Sequence, residues 1–494
     1  MRKSLPIFYS ALLLTAVNLL LRFVSTSFQV FISARIGPEG VGLLQLVMSV
    51  GGLALTAGMA GIRTATMYLT AGELGKRRPE NVSWVLRGCF LYSLSFSIAI
   101  SLLLHVSAPF LAKSWIGNPK TVDAIRIFAK FLPIVCLTGC MTGYFTAANQ
   151  IMTLAGIEIL EQLIYMAVTM GALTFWAGSN AEKACEAIIC GSGISSSITL
   201  LLLLVLRLRH RPPNGQRLSV ARPLMQVAIP LALGDNIKAG INTAENLMVP
   251  KRLALFPSEL TPLAAFGTVV GMVFPVLMFP AAILYALAEL LIPELARCHA
   301  AENSLRIRYL VRRCLRIAAL YGFFCGGILY LCAEPLCMRL YNSEMAGRYL
   351  KLYSLLAPIL YCDAITDAMV KGLGQQTASV RYNIITSALD VALLFILLPK
   401  YGMVGYFISF FITHLMNFLL SLRRLLHISG VKLPFYAPAM LTAACLLSLF
   451  ATASVVDISL KLSAFILLFG CLLVLFRVIS KGDFLWLKGL IKRN

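Results

Sequence analysis

The stretch Ile36–Arg78, IGPEGVGLLQLVMSVGGLALTAGMAGIRTATMYLTAGELGKRR, decides how the rest of the chain is read. It opens on a Gly-Pro turn, runs through about thirty apolar or small residues, and closes on Lys76, Arg77 and Arg78. At about 1.5 Å per residue, a helix of that length crosses a hydrocarbon core of roughly 30 Å with some tilt. One arginine, Arg63, sits near its far end among Gly and Ala. A span that retains a single charge is built to cross a membrane and to act inside it.

Composition agrees. Of 494 residues, 59% are hydrophobic and only 13% charged, with a mean hydropathy of +0.83. A soluble protein carries about twice that charged fraction. The chain is expected to be an all-α polytopic membrane protein. The net charge of +22 would suggest nucleic acid in a soluble chain. Here it follows from basic loops at membrane helix ends, and no basic stretch interleaved with aromatics lies outside a helix end, so no nucleic-acid partner is expected. Thirteen cysteines form no CxxC, and most lie in apolar segments. Cys185/Cys190 and Cys332/Cys337 share a five-residue offset, and a disulfide in either pair awaits geometry. The five histidines show no metal-ligand spacing. The N-terminus is basic and then apolar, too long for a signal-peptide core and interrupted by Arg22, so it reads as a retained first span.

Apolar windows bounded by turns and charge predict fourteen spans, near 6–33, 39–70, 84–110, 124–150, 154–177, 185–206 and 222–249, then 263–292, 311–332, 352–373, 379–398, 403–422, 435–456 and 461–479. With the N-terminus inside, 27 of the 43 basic residues fall on the cytoplasmic side. Lys76–Arg78, Arg87, Arg207–Arg222 and Arg297–Arg316 lead that set. The bias predicts both termini in the cytoplasm of a bacterial cell membrane.

An internal repeat sets the organisation. Leu132-Pro133-Ile134 with Gln150 recurs as Ala357-Pro358-Ile359 with Gln375, an offset of 225 that Cys89 and Cys314 share. An even number of crossings separates the copies, so they are parallel repeats. The expected lobes are 1–215 with six helices and 216–430 with six, around a central cavity. Residues 431–494 add two helices and a basic tail. Small-residue pairs at Gly139/Gly143, Gly267/Gly271 and Gly322/Gly326 allow close helix contact.

Charges inside spans are the candidate site. Asp235, Lys238, Asn242 and Glu245 recur at three- and four-residue steps, one stripe of a helix, where Asp235 and Lys238 can neutralise each other. Asp363, Asp367 and Lys371 form a second stripe. Arg22, Arg63, Glu158, Glu161 and Asp390 stand in apolar context. An internal ion pair or a snorkelling helix end explains Glu158, Asp363 and Lys371 as well as a cavity does. No nucleophile elbow, phosphate-cradling loop or zinc motif is present, so neither catalysis nor ATP hydrolysis is expected.

Gly37-Pro38-Glu39-Gly40-Val41-Gly42-Leu43-Leu44-Gln45, followed by Ala60-Gly61-Ile62-Arg63, resembles the opening of the stage V sporulation protein B family. These are polysaccharide-biosynthesis-type proteins of the multidrug/oligosaccharidyl-lipid/polysaccharide exporter superfamily. Leu132-Pro133-Ile134, Gly143-Tyr144-Phe145 and Asn149-Gln150 are similar to that family's fourth helix. The sequence departs from the pattern at Leu44, where tyrosine is usual, and at Arg63, where proline is common. The resemblance implies a MATE/MurJ-like fold of two lobes, alternating access, and flipping of an undecaprenyl-linked sugar or peptidoglycan precursor for spore cortex or envelope. MurJ-type flippases use a cluster of cavity arginines, and here Arg22 and Arg63, joined by Lys238, would take that part.

The expectation is therefore a monomeric flippase with no cofactor. Arg22, Arg63, Lys238 and Asn242 would bind the lipid-linked sugar, and Asp235, Glu245, Asp363 and Asp367 would couple transport to sodium or protons. One rival is a cation-coupled multidrug exporter, against which buried cations argue. Another is a scaffold that recruits envelope-synthesis proteins through its basic loops. A membrane transferase would need an outward-facing acid or histidine, for which only His105 is available.

Overall fold

A computed structural model describes residues 7–178, 180–209, 220–258, 260–431, 436–455, 457–476 and 478. The RPPNGQR loop, the basic tail beyond 480 and the first six residues lie outside that range. Among the described residues every regular element is helical, as expected of a chain whose backbone must satisfy its own polar groups in hydrocarbon.

The helices run in the order α1 (Ile7–Met59), α2 (Ile62–Gly75), α3 (Val82–Phe110), α4 (Val122–Ala147), α5 (Ile151–Ala172), α6 (Ala181–Arg209) and α7 (Ala221–Leu253). Then come α8 (Pro262–Gly267), α9 (Phe274–Met278), α10 (Ala281–Ala300), α11 (Ser304–Tyr341) and α12 (Glu344–Tyr353). The last are α13 (Ala357–Gly372), α14 (Gln376–Ser429), α15 (Tyr436–Ala451) and α16 (Ile458–Leu475). Nine described helical stretches are long and apolar enough to cross a membrane, or ten if Pro262–Met278 and Ala281–Ala300 count as one broken span. Two of the long ones, α1 and α14, each cover a pair of the spans expected from sequence, with non-helical turns at Gly37 and Gly402. The expected span 39–70 is corrected: Ala60 (φ 42°) and Gly61 (φ 71°) break it, and α2 restarts at Ile62. A β-carbon on Gly61 would lie 2.7 Å from the Ala228 carbonyl oxygen, so α7 crosses against bare backbone at that break.

The chain divides into two compact units, Met1–Gly271 with Val391–Met403, and Met272–Asp390 with Val404–Asn494. The division follows packing rather than the repeat boundary. Helix α7 belongs to the first unit because Thr243 donates to the Ser49 carbonyl (3.1 Å) and Asn246 to the Ser49 hydroxyl (3.0 Å).

In the first unit α4 is central, burying Leu132, Cys136, Gly139, Cys140 and Gly143 against α1, α2, α3 and α6. The Gly-Pro-Glu-Gly-Val-Gly turn has a packing reason. A β-carbon on Gly267 would come within 2.0 Å of the Pro38 oxygen, and one on Gly42 within 2.3 Å of the Leu263 oxygen. Ser33 donates to the Gly271 carbonyl (2.8 Å) and Thr261 to Glu39 (2.6 Å), which clip α1 to α8. In the second unit α11 packs on α12, α13, α15 and α16. Gly322 and Gly326 lie against Pro358 and Ser354, and Gly327 against the Phe465 ring.

The repeat appears in the backbone itself. Asn149 (φ 57°) and Gly374 (φ 76°) both take left-handed turns before Gln150 and Gln375. Three backbone bonds recur at the offset of 225: Ala148 to Tyr144 and Leu373 to Met369, Asn149 to Thr146 and Gly374 to Lys371, Gln150 to Phe145 and Gln375 to Val370. All thirteen cysteines are free thiols, so neither five-residue pair is a disulfide.

Overpacking a close helix contact costs about 1–3 kcal/mol. Gly42→Ala and Gly267→Ala are each expected to lower the midpoint of thermal unfolding in detergent. Gly52→Ala, whose added carbon meets open space, is expected to leave it unchanged.

Candidate functional site

Helix α7 shows why its charges stand where they do. One face buries Leu224, Ala228, Thr243, Val249 and Leu253. Asp235, Lys238 and Asn242 project from the rest of the surface and are exposed, and Glu245 is half-buried. The expected Asp235–Lys238 ion pair is corrected. Among the described residues Asp235, Lys238 and Asn242 form no hydrogen bond or ion pair, because both charged groups extend away from the packed face. Arg63, also exposed, opens α2 one residue after Ile62, directly past the Ala60–Gly61 break. Its backbone is pressed on α4, where a β-carbon on Gly143 would lie 2.4 Å from the Arg63 oxygen. The guanidinium lies within Coulombic reach of Glu158 on α5, and Glu158 within reach of Glu161. Glu161 in turn accepts from Ser196 (2.9 Å). Arg22 is exposed on the first half of α1. All of these groups belong to the first unit.

The second unit treats its carboxylates differently. A cavity of about 340 Å³ is lined by Asp363, Asp367, Asn383, His414 and Asn417, with Phe274 and Phe410 among its apolar walls. Asp363 is only 8% exposed and accepts both oxygens' worth of the Asn417 amide, at 2.9 and 3.1 Å. The His414 Nδ1 lies 3.4 Å from Asp363 Oδ2, which also accepts from Asn417, and the imidazole sits 4.2 Å, centroid to centroid, from the Phe410 ring. Asp367 pairs with Lys371 at 2.6 Å and accepts from Ser379. The Asn417 side-chain oxygen is buried, and among the described residues it meets no donor. A carboxylate, an imidazole and an orphaned amide oxygen around one small cavity can hold a proton or a monovalent cation. No group of three His, Cys, Asp or Glu among the described residues is placed to hold a metal ion.

His414, Asn417, Asn383 and Ser379 were not among the residues expected from sequence. Their only signal is a His and an Asn three residues apart in the apolar run Phe407–Leu420. Asp390, expected to stand alone, is 6% exposed and accepts from Ser409 (2.5 Å) and Thr413 (3.3 Å), so it clips the two arms of α14.

Known proteins place this architecture. Stage V sporulation protein B of Bacillus subtilis (strain 168) is 22% identical over 411 residues, covering 80% of this chain and 78% of that protein. The lipid II flippase MurJ in an inward closed conformation superposes with a TM-score of 0.67 at 12% identity, covering 94% of this chain and 99% of that one. An inward-facing multidrug resistance MATE family transporter of the MOP superfamily superposes with a TM-score of 0.61 at 15% identity, covering 86% and 100%. These two similarities establish a MATE/MurJ-like fold. Residues 32–347, well over half of the chain, match the family described as polysaccharide biosynthesis protein. The chain is a multi-pass membrane protein that belongs to the polysaccharide biosynthesis protein family.

Proposed function

We propose that this protein is a flippase that moves an undecaprenyl-linked oligosaccharide or peptidoglycan precursor across the bacterial cytoplasmic membrane by alternating access, with both termini in the cytoplasm. The observation that carries the reading is the set of cations on membrane helices of the first unit: Arg22, Arg63 and Lys238 are all exposed there. An exposed charge on a span faces water or an anionic ligand, because facing lipid costs several kcal/mol. The similarity to stage V sporulation protein B supports a substrate used in spore cortex or envelope synthesis.

A pyrophosphate suits these groups. A guanidinium offers parallel N–H donors to two phosphate oxygens, and a lysine adds a point charge. Arg63 has the further advantage of standing in the first turn of α2, where the helix dipole also favours negative charge. Asn242, next to Lys238 on the same stripe, is placed to donate to a sugar hydroxyl. Sodium or proton coupling falls to Asp363 and Asp367, with Asp235 and Glu245 as additional carboxylates on α7. The orphaned Asn417 oxygen beside Asp363 supports the second unit as the place where the ion is held.

Charge-assisted hydrogen bonds contribute about 1.5–3 kcal/mol, so replacing each cation by alanine is expected to slow flipping roughly 10- to 100-fold. The measurement is the accumulation of lipid-linked precursors, identified by mass, in a strain carrying Arg22→Ala, Arg63→Ala or Lys238→Ala. Undiminished flipping in all three sinks the phosphate-binding role. Asp363→Asn and Asn417→Leu are expected to lower transport and to remove its dependence on the sodium or proton gradient in reconstituted vesicles. An unchanged gradient dependence assigns coupling elsewhere. Gradient-dependent dye efflux without precursor accumulation would identify a drug exporter instead.

A further inference from the structure

On the second arm of α14, His414, Asn417, Ser421 and Arg424 recur at three- and four-residue steps, which sets them on one stripe of the helix. On α13 and the turn after it, Asp363, Asp367, Lys371 and Gln375 recur at steps of four. The two stripes meet as a polar seam inside the second unit. At the cavity, Asp363 is bound by His414 and Asn417. Farther along, Arg424 donates twice to the side-chain oxygen of Gln375, at 3.2 and 2.6 Å. Between those links the Asn417 side-chain oxygen and the Ser421 hydroxyl are buried and, among the described residues, meet no partner. Buried oxygens of this kind are satisfied by water or by an arriving donor.

The imidazole is oriented for one task. Its Nδ1 faces the Asp363 carboxylate, which only accepts, so the ring proton belongs on Nδ1 and Nε2 keeps its lone pair at the far edge of the ring. The ring lines the cavity and its side chain is 32% exposed, whereas Asp363 is buried. A bare sodium ion needs several oxygens turned toward it. Here both Asp363 oxygens accept from the Asn417 amide, and Asp367 accepts from the Lys371 ammonium and from Ser379. Carboxylates that face donors suit a proton on the neighbouring ring better than a bare cation between them. The other groups at the cavity are Tyr285 from α10 and the neutral Asn383 from the first arm of α14. Lys371 offsets Asp367, so Asp363 is the carboxylate that answers a charged imidazole.

We propose that the ion coupled to transport is the proton and that its carrier is the Nε2 atom of His414. The inference rests on the reading of this protein as a gradient-driven flippase, and adds to it the identity of the ion and the atom that holds it. In loading, the Nε2 lone pair takes a proton delivered by water, and the Asp363 carboxylate balances the resulting imidazolium. In release, Nε2 returns that proton to water and the neutral ring keeps its Nδ1–H on Asp363. His414 is the carrier, and Asp363 and Asn417 position it.

The test compares His414→Asn with the unaltered full-length protein in vesicles. Asparagine keeps an N–H where Nδ1 stands and has no second nitrogen to take a proton. Movement of a labelled undecaprenyl-pyrophosphate-linked peptidoglycan precursor is followed under a pH gradient without sodium, and under a sodium gradient at equal pH. The expected result is acceleration by the pH gradient in the unaltered protein, loss of that acceleration in His414→Asn, and no response to sodium in either. A histidine that only holds Asp363 in place predicts that His414→Asn keeps the acceleration, and that result overturns the proposal. Acceleration by sodium at equal pH overturns it as well. The same comparison with a cationic dye as cargo separates this inference from the flippase reading: pH-driven dye movement that is lost in His414→Asn retains the proton carrier and rejects the lipid substrate. Where neither cargo moves, or His414→Asn does not fold, diethyl pyrocarbonate decides, because it acylates an open, unprotonated imidazole nitrogen. One carbethoxyl group on His414 of the unaltered protein, located by peptide mass, supports an Nε2 open to the cavity, and no labelling there overturns the proposal.

Discussion

In hydrocarbon, a backbone carbonyl that loses its helical amide must find another donor. The architecture of this chain depends on how that demand is met at its broken helices. Where α1 ends, the Ala60 carbonyl accepts from the Tyr92 hydroxyl at 3.2 Å. Around the broken segment that holds α9, Met272, Leu277 and Pro280 offer their carbonyls to Tyr341 (3.1 Å), Tyr361 (2.7 Å) and Tyr321 (2.9 Å). Ser33 does the same for Gly271. Each break is therefore tied to a neighbouring helix by a hydroxyl, and close glycine contacts let that neighbour approach. Gly61 against Ala228, Gly143 against Arg63, and Gly322 against Pro358 are the places where backbone meets backbone. Broken helices of this kind provide polar backbone and short helix starts inside a membrane without exposing either to lipid.

The charged groups of the second unit are enclosed, whereas those on α7 in the first unit are exposed. In the second, Asp363 is bound by Asn417, Asp367 by Lys371 and Ser379, and Asp390 by Ser409 and Thr413. These carboxylates are enclosed in networks, where a change of protonation or an arriving cation would rearrange the surrounding hydrogen bonds. In the first unit, Asp235, Lys238 and Asn242 extend from α7 toward whatever occupies the adjacent space. A group left open on a membrane helix serves a ligand better than one already satisfied. The proposed division of substrate recognition and ion coupling between the first and the second unit rests on that contrast.

Much of this was legible in the residues themselves. Apolar length and the scarcity of charge define a polytopic helical protein, because only helices satisfy their own backbone in lipid over so many segments. The offset of 225 between Pro133/Gln150 and Pro358/Gln375 marks the repeat, since a left-handed turn before Gln needs Asn or Gly at one position, here Asn149 and Gly374. The spacing of Asp235, Lys238, Asn242 and Glu245 sets them on one stripe by helical geometry alone. The same periodicity, however, is silent on whether neighbours in a stripe pair, and Asp235 and Lys238 do not.

The remainder was decided by packing. The break at Ala60–Gly61 reads as uninterrupted apolar helix in sequence. At that break α7 passes so close to Gly61 that a β-carbon there would lie 2.7 Å from the Ala228 oxygen. Asp363 meets His414 and Asn417 across about fifty residues of chain, and Arg207 meets Ser83 across more than a hundred. Local periodicity reports which face of its own helix a side chain occupies, and carries no information on which distant helix lies opposite. Sequence alone therefore determined the membrane fold, the repeat and the charged stripes. Only tertiary contact decided which charges are enclosed, which remain open, and where a cavity forms between helices.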